Sequence, residues 1–171
     1  MIEKLRNMTG LYIVHNNRIL LLYRQGGRVV NNVWAPSAGG HFEENELNDA
    51  EACVLRELKE ETNLLPTAFQ KFDMRYITIR RTAKEIRQNY YFFAELKEEY
   101  APTVFTSNEG TLKWFDFSAL FSPIDSTPSI AMPFTAAFVL RHYLTQGRFD
   151  ENIYGGIADG TQVVFTELPA F

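Results

Sequence analysis

Residues 39–64 constrain this chain more than any other stretch, because they join a glycine pair to an acidic helical pattern. Asn48 or Asp49 can cap a helix that runs to about Thr62, since a short side-chain oxygen accepts hydrogen bonds from the N–H groups of a first turn. At about 100° per residue, one side of this helix is apolar. Its members are Ala50, Cys53, Val54, Leu58 and Leu64. The pattern predicts an amphipathic helix that packs this side against a core.

Three glutamates of this helix, Glu57, Glu60 and Glu61, are spaced so that their side chains cluster at the border of the apolar side. Carboxylates at such a border repel one another and lose hydration, which is unfavourable by several kcal/mol unless a cation or a proton compensates. Hard oxygen ligands of this kind suit Mg²⁺ or Mn²⁺. The alternative is a solvated acidic helix face. The glycines immediately upstream favour the metal site.

The same stretch resembles the Nudix box, which reads G-x5-E-x7-R-E-U-x-E-E-x-G-U, with U a bulky apolar residue. Gly39 stands before the first glycine of the pattern, where members of the family commonly have another. The signature positions are filled by Gly40, Glu46, Arg56, Glu57, Leu58, Glu60, Glu61 and Leu64. Eight fixed positions are a specific signal, unlike a lone glycine motif.

Two departures from the box are visible. Residues 47–55 separate Glu46 from Arg56, which makes the loop before the helix two residues longer than in the pattern, so Glu43 is an alternative to Glu46. Asn63 stands where the last glycine belongs. Asparagine tolerates the left-handed conformation that often ends a helix, so the second departure is mild.

The resemblance implies an α+β Nudix fold, a mixed β-sheet sandwiched between α-helices, and a metal-dependent hydrolase that cleaves a nucleoside diphosphate linked to another moiety. It implies that Glu57, Glu60 and Glu61 ligate Mg²⁺, with Mn²⁺ as a substitute, together with the carbonyl of Gly39. One glutamate of the cluster would also activate the attacking water.

Catalytic roles are thus expected for Glu57 and Glu60, with Arg56 in support. On the helical wheel Arg56 points away from the glutamate cluster, so we expect it to orient Glu43 or Glu46 in the loop.

Glu109 is a further candidate ligand for the metal. It lies in the segment 107–110, directly before a strand that contains Trp114. This arrangement resembles the Glu-Gly that precedes a Trp-bearing strand in MutT-like members of the family. The resemblance implies that Glu109 reaches the box helix.

Substrate-binding residues are expected in two other places. Arg24 and Arg28 belong to a basic loop before the box and are candidates for phosphate contacts. Base stacking needs an apolar slot. In MutT-like proteins the slot lies between the early strands and the segment before the last helix, which here points to Tyr12, Tyr23, Phe92 and residues 132–134. Phe134 is the preferred stacking residue.

The rest of the chain reads as alternating strands and one more helix. Apolar, β-branched and aromatic runs predict strands over 8–14, 18–23, 69–80, 86–96 and 112–117, and a helix over 133–146. The aromatic run 90–93 predicts a central strand covered on both faces. A final hairpin over 153–157 and 163–168 lies outside the usual core, where it caps the site or pairs with another subunit.

Length and charge limit the remaining possibilities. A chain of 171 residues that is 46% hydrophobic is interpreted as one domain over residues 1–171. A net charge of −4 argues against stable binding of nucleic acid. No apolar run in the sequence approaches the length of about 18 residues that a membrane span needs. The single cysteine, Cys53, is predicted to be a core residue. We expect a cytoplasmic monomer or homodimer with a small-molecule nucleotide as its partner.

The substrate stays open at this level. The resemblance favours a purine nucleoside triphosphate, oxidised ones such as 8-oxo-dGTP included. The alternatives are a nucleoside diphosphate sugar or dinucleotide pyrophosphatase, or a catalytically silent domain that senses a nucleotide, since substrate choice resides in loops.

Overall fold

The computed structural model describes residues 1–2, 4–25, 32–101 and 105–170. Its centre is a mixed sheet with one α-helix on each face, which confirms the predicted α+β fold. The strands are β1 Lys4–His15, β2 Arg18–Arg24, β3 Val33–Ala35, β4 Phe69–Arg81, β5 Glu85–Leu96, β6 Gly110–Asp116, β7 Ile153–Ala158 and β8 Val163–Leu168. The helices are α1 Ala50–Thr62 and α2 Phe134–Thr145. Among the described residues, no helix is long and apolar enough to cross a membrane.

The strand order is β3-β2-β1-β5-β4-β7-β8, and β6 pairs with β2. Two pairings are parallel, β1 with β5 and β4 with β7, and the others are antiparallel. β5 occupies the middle of the sheet, as the aromatic run 90–93 predicts. Tyr91, Phe92 and Phe93 are all buried.

Two cores lie on the two faces of the sheet, and the alternation of β1 shows how they are separated. Leu11 and Ile13 belong to the core under α1, whereas Tyr12 and Val14 belong to the core under α2. Successive side chains of a strand point to opposite faces, so β1 serves both cores.

Local signals set the ends of α1 as the sequence predicts. The Asp49 side chain accepts a hydrogen bond of 2.9 Å from the backbone N–H of Ala52 and caps the helix. Asn63 ends it in the left-handed conformation, with φ 60°, and its N–H donates to the carbonyl of Lys59. Asparagine in place of glycine is therefore compatible with the box geometry.

The structure corrects two expectations about strands. β3 was not predicted, because three residues are too short to show an alternating pattern. The final hairpin does not cap the site. Tyr154 of β7 pairs with Tyr76 of β4 in parallel register, so β7 and β8 extend the sheet beyond β4.

A buried polar network fastens this hairpin to α2. Arg75 donates to the carbonyl of Gly147 and to the Asp150 carboxylate, both at 2.8 Å. The Tyr154 hydroxyl donates to the other oxygen of Asp150 at 2.7 Å. His142, to which the sequence assigns no role, lies 2.9 Å from the Tyr76 hydroxyl through Nδ1. These bonds hold residues 147–154 against β4.

Candidate active site

The loop before α1 brings Glu46 onto Arg56. A 3-10 turn over Glu44–Glu46 is followed by Asn48 at φ 70°, and these turns accommodate the two additional residues. Glu46 accepts from Arg56 Nε at 2.6 Å and from Nη2 at 3.0 Å. Glu43 is 3.9 Å from Nε. Glu46 therefore fills the box position, and the open choice between Glu43 and Glu46 is settled in its favour.

Arg56 also reaches the glutamate cluster, which corrects the expectation that it points away. Its Nη1 donates to Glu57 at 2.8 Å and to Glu60 at 3.2 Å. Its Nη2 donates to the carbonyl of His41 at 3.1 Å. The wheel gives only the direction of Cβ, and the long arginine stem bends along the helix towards the next turn. The guanidinium joins the loop to two candidate ligands.

Because Arg56 stabilises the ionised form of Glu46, we expect the folded protein to lose stability in acid. Glu46 is only 3% exposed, and the hydrogen bonds from Arg56 lower its pKa from 4.5 to about 2, against the opposing effect of burial. The stabilisation is fully present above about pH 4.5 and is lost as the pH falls towards 2, because the unfolded chain takes up the proton first. It amounts to about 3 kcal/mol.

Urea unfolding at decreasing pH measures this effect, with Glu46→Gln as the comparison. The variant is expected to be less stable near neutral pH and to depend less on pH in the acid range. Parallel pH dependences in the two proteins would contradict the assignment to Glu46.

Two glycines let the backbone approach the carboxylates. The Glu57 carboxylate lies where a Cβ on Gly40 would stand, so any other residue at position 40 would have to displace this carboxylate. Gly39 has φ 143° and its N–H donates to Glu61 at 2.9 Å. The contact of Gly39 with the cluster thus runs through its N–H, and the predicted ligand role of its carbonyl stays a prediction.

Burial shapes the electrostatics of the cluster. Glu61 is 4% exposed, and burial raises its pKa to about 8, although the N–H of Gly39 opposes the shift. Burial also raises the pKa of Glu57, against the hydrogen bond from Arg56. The negative charge of Glu109 adds to the rise in both pKa values. A cation bound here would relieve the cost of these buried charges.

Arg24 connects Glu109 with the cluster. Its Nη2 donates to Glu109 at 2.8 Å and lies 3.5 Å from Glu61. Its Nε is buried and has no hydrogen-bond partner among the described residues. Arg24 is therefore the cation that stands between Glu61 and Glu109.

The residues present suit a hard divalent cation. Among the described residues, no three acidic, histidine or cysteine side chains already stand in the close arrangement that holds a metal. The oxygens of Glu57 and Glu61 are hard donors in a half-buried to buried setting, where burial raises the pKa of both carboxyls and a bound cation would offset the loss of hydration. This donor set fits Mg²⁺ or Mn²⁺.

A cavity of about 140 Å³ opens beside Gly39. Three side chains of β5, Arg87, Asn89 and Tyr91, line it together with Arg24. Its apolar wall is formed by Met8, Ala35, Pro36, Ala38, Pro133 and Ala136. Arg87 and Asn89 are not among the sequence-based candidates, although their spacing of two places them on the same face of β5 as Tyr91.

The structure gathers most of the predicted site residues but not all of them. Tyr23 packs on Trp34 with ring centroids 4.9 Å apart, on the face opposite Arg24, because neighbouring strand residues alternate. Phe134 packs on Phe138, lines a different cavity with Arg80 and Asp159, and does not line the one beside Gly39. Arg28 lies outside the described residues. Those brought together are Gly39, Arg56, Glu57, Glu60, Glu61, Arg24 and Glu109.

Solved structures with the same fold are numerous, and three illustrate the range. The mutator MutT protein from Bacillus halodurans is 17% identical, with 97% of this chain and 99% of that chain covered and a TM-score of 0.63. An Ap4A hydrolase from C. elegans, solved as a binary complex, is 18% identical, with 85% and 99% covered and a TM-score of 0.61. The NUDIX domain of Shewanella oneidensis NrtR, complexed with ADP ribose, is 17% identical, with 88% and 90% covered and a TM-score of 0.60.

The sequence itself gives the family. No curated protein matches the chain. The family model described as the NUDIX domain matches residues 4–138, which include the box, α1 and most of the sheet. The chain therefore belongs to the NUDIX domain family and is a Nudix pyrophosphohydrolase.

Proposed function

We propose that this enzyme uses Mg²⁺ to hydrolyse a nucleoside diphosphate linked to another moiety, with a purine nucleoside triphosphate such as 8-oxo-dGTP as the first candidate substrate. The observation that carries the proposal is the juxtaposition of buried carboxylates with a cavity large enough for part of a nucleotide. The Glu61 carboxylate accepts a hydrogen bond from the N–H of Gly39, which lines the cavity. Arg24 also lines the cavity and lies 3.5 Å from Glu61.

The metal would be held by Glu57, Glu60 and Glu61, by the carbonyl of Gly39, and by Glu109. When bound, Mg²⁺ neutralises charge on the phosphoryl oxygens and lowers the pKa of a bound water, and Mn²⁺ can substitute for it.

The side chains of the chain itself have separate tasks in this proposal. A glutamate of the cluster accepts the proton of the attacking water, and the hydrogen bond from Arg56 holds Glu57 in position for this role. Arg56 is a positioning residue, because it fixes Glu57 and Glu60 against the loop that carries Glu46. Arg24 is placed to contact a phosphate between the cluster and the cavity.

The cavity supports a planar group at one end of the substrate. Ligand pockets commonly measure about 300–1,000 Å³, so a cavity of about 140 Å³ accommodates only part of a nucleotide. The amide of Asn89 offers both a donor and an acceptor for the edge of a base, and the apolar wall offers contact for its faces. The competing proposal for the base is Phe134, at the start of α2.

A dinucleotide or a nucleoside diphosphate sugar is the second candidate. It is favoured by two of the similar structures, one named as an Ap4A hydrolase and one complexed with ADP ribose. A silent nucleotide sensor is disfavoured, because Arg56, Glu57 and Glu61 retain the contacts of an organised site.

Product analysis separates these candidates. Purified protein with Mg²⁺ or Mn²⁺ is incubated with 8-oxo-dGTP, the ordinary nucleoside triphosphates, Ap4A, ADP ribose and nucleoside diphosphate sugars. A triphosphate substrate yields pyrophosphate and a nucleoside monophosphate, whereas ADP ribose or a sugar yields two monophosphates. Turnover of none of them with either metal would contradict the proposed activity.

The base-binding cavity predicts a specific effect of Asn89→Ala. The variant is expected to raise KM for the preferred nucleotide by about tenfold with little change in kcat, because it removes hydrogen bonds to the base and leaves the metal ligands intact. Gln88→Ala is the matched control, since Gln88 is the adjacent amide and also donates to a tyrosine hydroxyl, that of Tyr90, but does not line the cavity, whereas Asn89 lines it and donates to Tyr91. If KM rises in Phe134→Ala and stays at the wild-type value in Asn89→Ala, the base-binding site lies at the start of α2 and not in the cavity.

A further inference from the structure

The outer edge of β8 is an unprotected strand edge. β8 is the last strand of the sheet, and no strand of the described residues pairs with its outer side. Natural edge strands are commonly blunted by lysine, proline, bulges or short length. β8 has six residues, Val163–Leu168, and Glu167 is its only charged one. Its backbone groups are thus free to pair with another strand.

A row of exposed aliphatic side chains runs up to this edge. Ile79 lies opposite Ile157, and Ile157 lies opposite Val164. These three are 39%, 58% and 55% exposed. Leu168 is 43% exposed and covers Gly155. Adjacent apolar surface of this kind marks an interaction site more often than scattered single residues do.

The row lies on the sheet face away from α2. Tyr76, Tyr154 and Phe165 belong to the core under α2, and their strand neighbours therefore point to the other face. α1 packs on that other face, but its core gathers residues of β1, β2, β5 and the first part of β4. The row therefore lies beyond the helix, and its side chains are exposed among the residues that the structure describes.

The apolar residues of β8 are spaced so that two copies of the strand can pair in antiparallel orientation with apolar side chains opposite each other. We propose that a second copy of this chain pairs with β8 in antiparallel register about a two-fold axis at Thr166. This register places Val164 opposite Leu168 of the partner subunit on the apolar face. The row of Ile79, Ile157 and Val164 then continues onto apolar residues of the partner instead of ending in water. A two-fold axis at Phe165 would place Val164 opposite threonine and interrupt the row.

Two-fold symmetry gives such an interface twice the contribution of every contact, since each residue appears on both sides. The antiparallel pairing satisfies the outward N–H and C=O groups of both edges. The interface lies beyond β4, whereas the candidate active site lies at β1, β2 and α1. The two sites are therefore separable by experiment.

Mass measurement by sedimentation or light scattering tests the dimer. The wild-type protein is expected at twice 19.7 kDa, and Val164→Lys at 19.7 kDa with its hydrolytic activity retained. Leu65→Lys is the matched control, because Leu65 is an aliphatic residue of similar exposure, 53%, outside the sheet. It should remain a dimer. A monomeric wild type would overturn the proposal and leave the edge for a strand of another protein, and a dimer that survives Val164→Lys would place the interface elsewhere.

Cross-linking tests the register. In the proposed dimer Thr166 faces Thr166 of the partner subunit with Cα atoms about 4.5–5.5 Å apart, a separation that a disulfide spans, so Thr166→Cys is expected to form a disulfide-linked dimer on oxidation. The natural Cys53 is fully buried and gives a low background. Thr111→Cys, at an exposed position on β6, should stay uncross-linked. A dimer in which Thr166→Cys does not cross-link overturns the two-fold axis at Thr166.

Discussion

Glu57→Gln and Glu61→Gln are expected to lower kcat by about 10²–10⁴, the range associated with loss of a proton-transferring group. Both carboxylates are held in place by contacts of the site, Glu57 against Gly40 and Glu61 on the N–H of Gly39. Glutamine keeps the shape of the side chain and removes its charge, so the metal loses a ligand while the packing is conserved.

Mg²⁺ titration together with turnover measures the effect. Glu60→Gln is also expected to lower kcat. Glu109→Gln is expected to lower kcat by a smaller factor, since Glu109 lies outside the box helix. Glu51→Gln is the matched control, because Glu51 is an exposed glutamate in the first turn of the same helix. Activity like that of the wild type in Glu57→Gln, Glu60→Gln and Glu61→Gln would reject the metal-ligand assignment.

Arg56→Met is expected to lower the free energy of unfolding by about 3–5 kcal/mol, because it leaves a buried carboxylate without its partner. That carboxylate is Glu46, which is 3% exposed and accepts two hydrogen bonds from Arg56. Activity should fall as well, since the same guanidinium positions Glu57.

Urea unfolding with an unchanged m-value gives the measurement. Glu46→Leu combined with Arg56→Met removes both charges and should recover much of the lost stability, which a purely steric effect of methionine would not allow. The exposed Arg81→Met serves as control. A loss below about 1 kcal/mol in Arg56→Met would indicate that the pair behaves like a surface ion pair.

The parts of the fold that local chemistry determines were predictable from the sequence. Asp49 caps α1 and Asn63 ends it, because these effects depend on residues within one turn. The strands with strong alternation were also found. The parallel pairing of β7 with β4 was not, because no turn residue or local pattern specifies which distant strand a segment joins in parallel.

In the candidate site too, features set by local sequence were predictable and features set by tertiary packing were not. The box placed Glu57 and Glu61 beside the glycines, since the spacing along one helix fixes their relation. The direction of Arg56 was mistaken, because a wheel describes Cβ and not the end of a long side chain. Asn89 and Phe134 depend on how β5 and α2 meet the loops, which tertiary packing alone decides.

The place of β7 has a consequence for how the chain folds as it is synthesised. β4 has its outer edge, with Ile77 and Ile79, covered only after residues 153–158 have been made, long after the box helix has emerged. N-terminal segments generally fold first during synthesis, and unpaired strand edges are prone to association at that stage. A nascent chain that stops after residue 138, where the family match ends, would carry the whole candidate site and an open β4 edge. Such a chain is expected to need chaperones to keep the open β4 edge from associating. The longer chain should no longer need them once β7 has paired with β4.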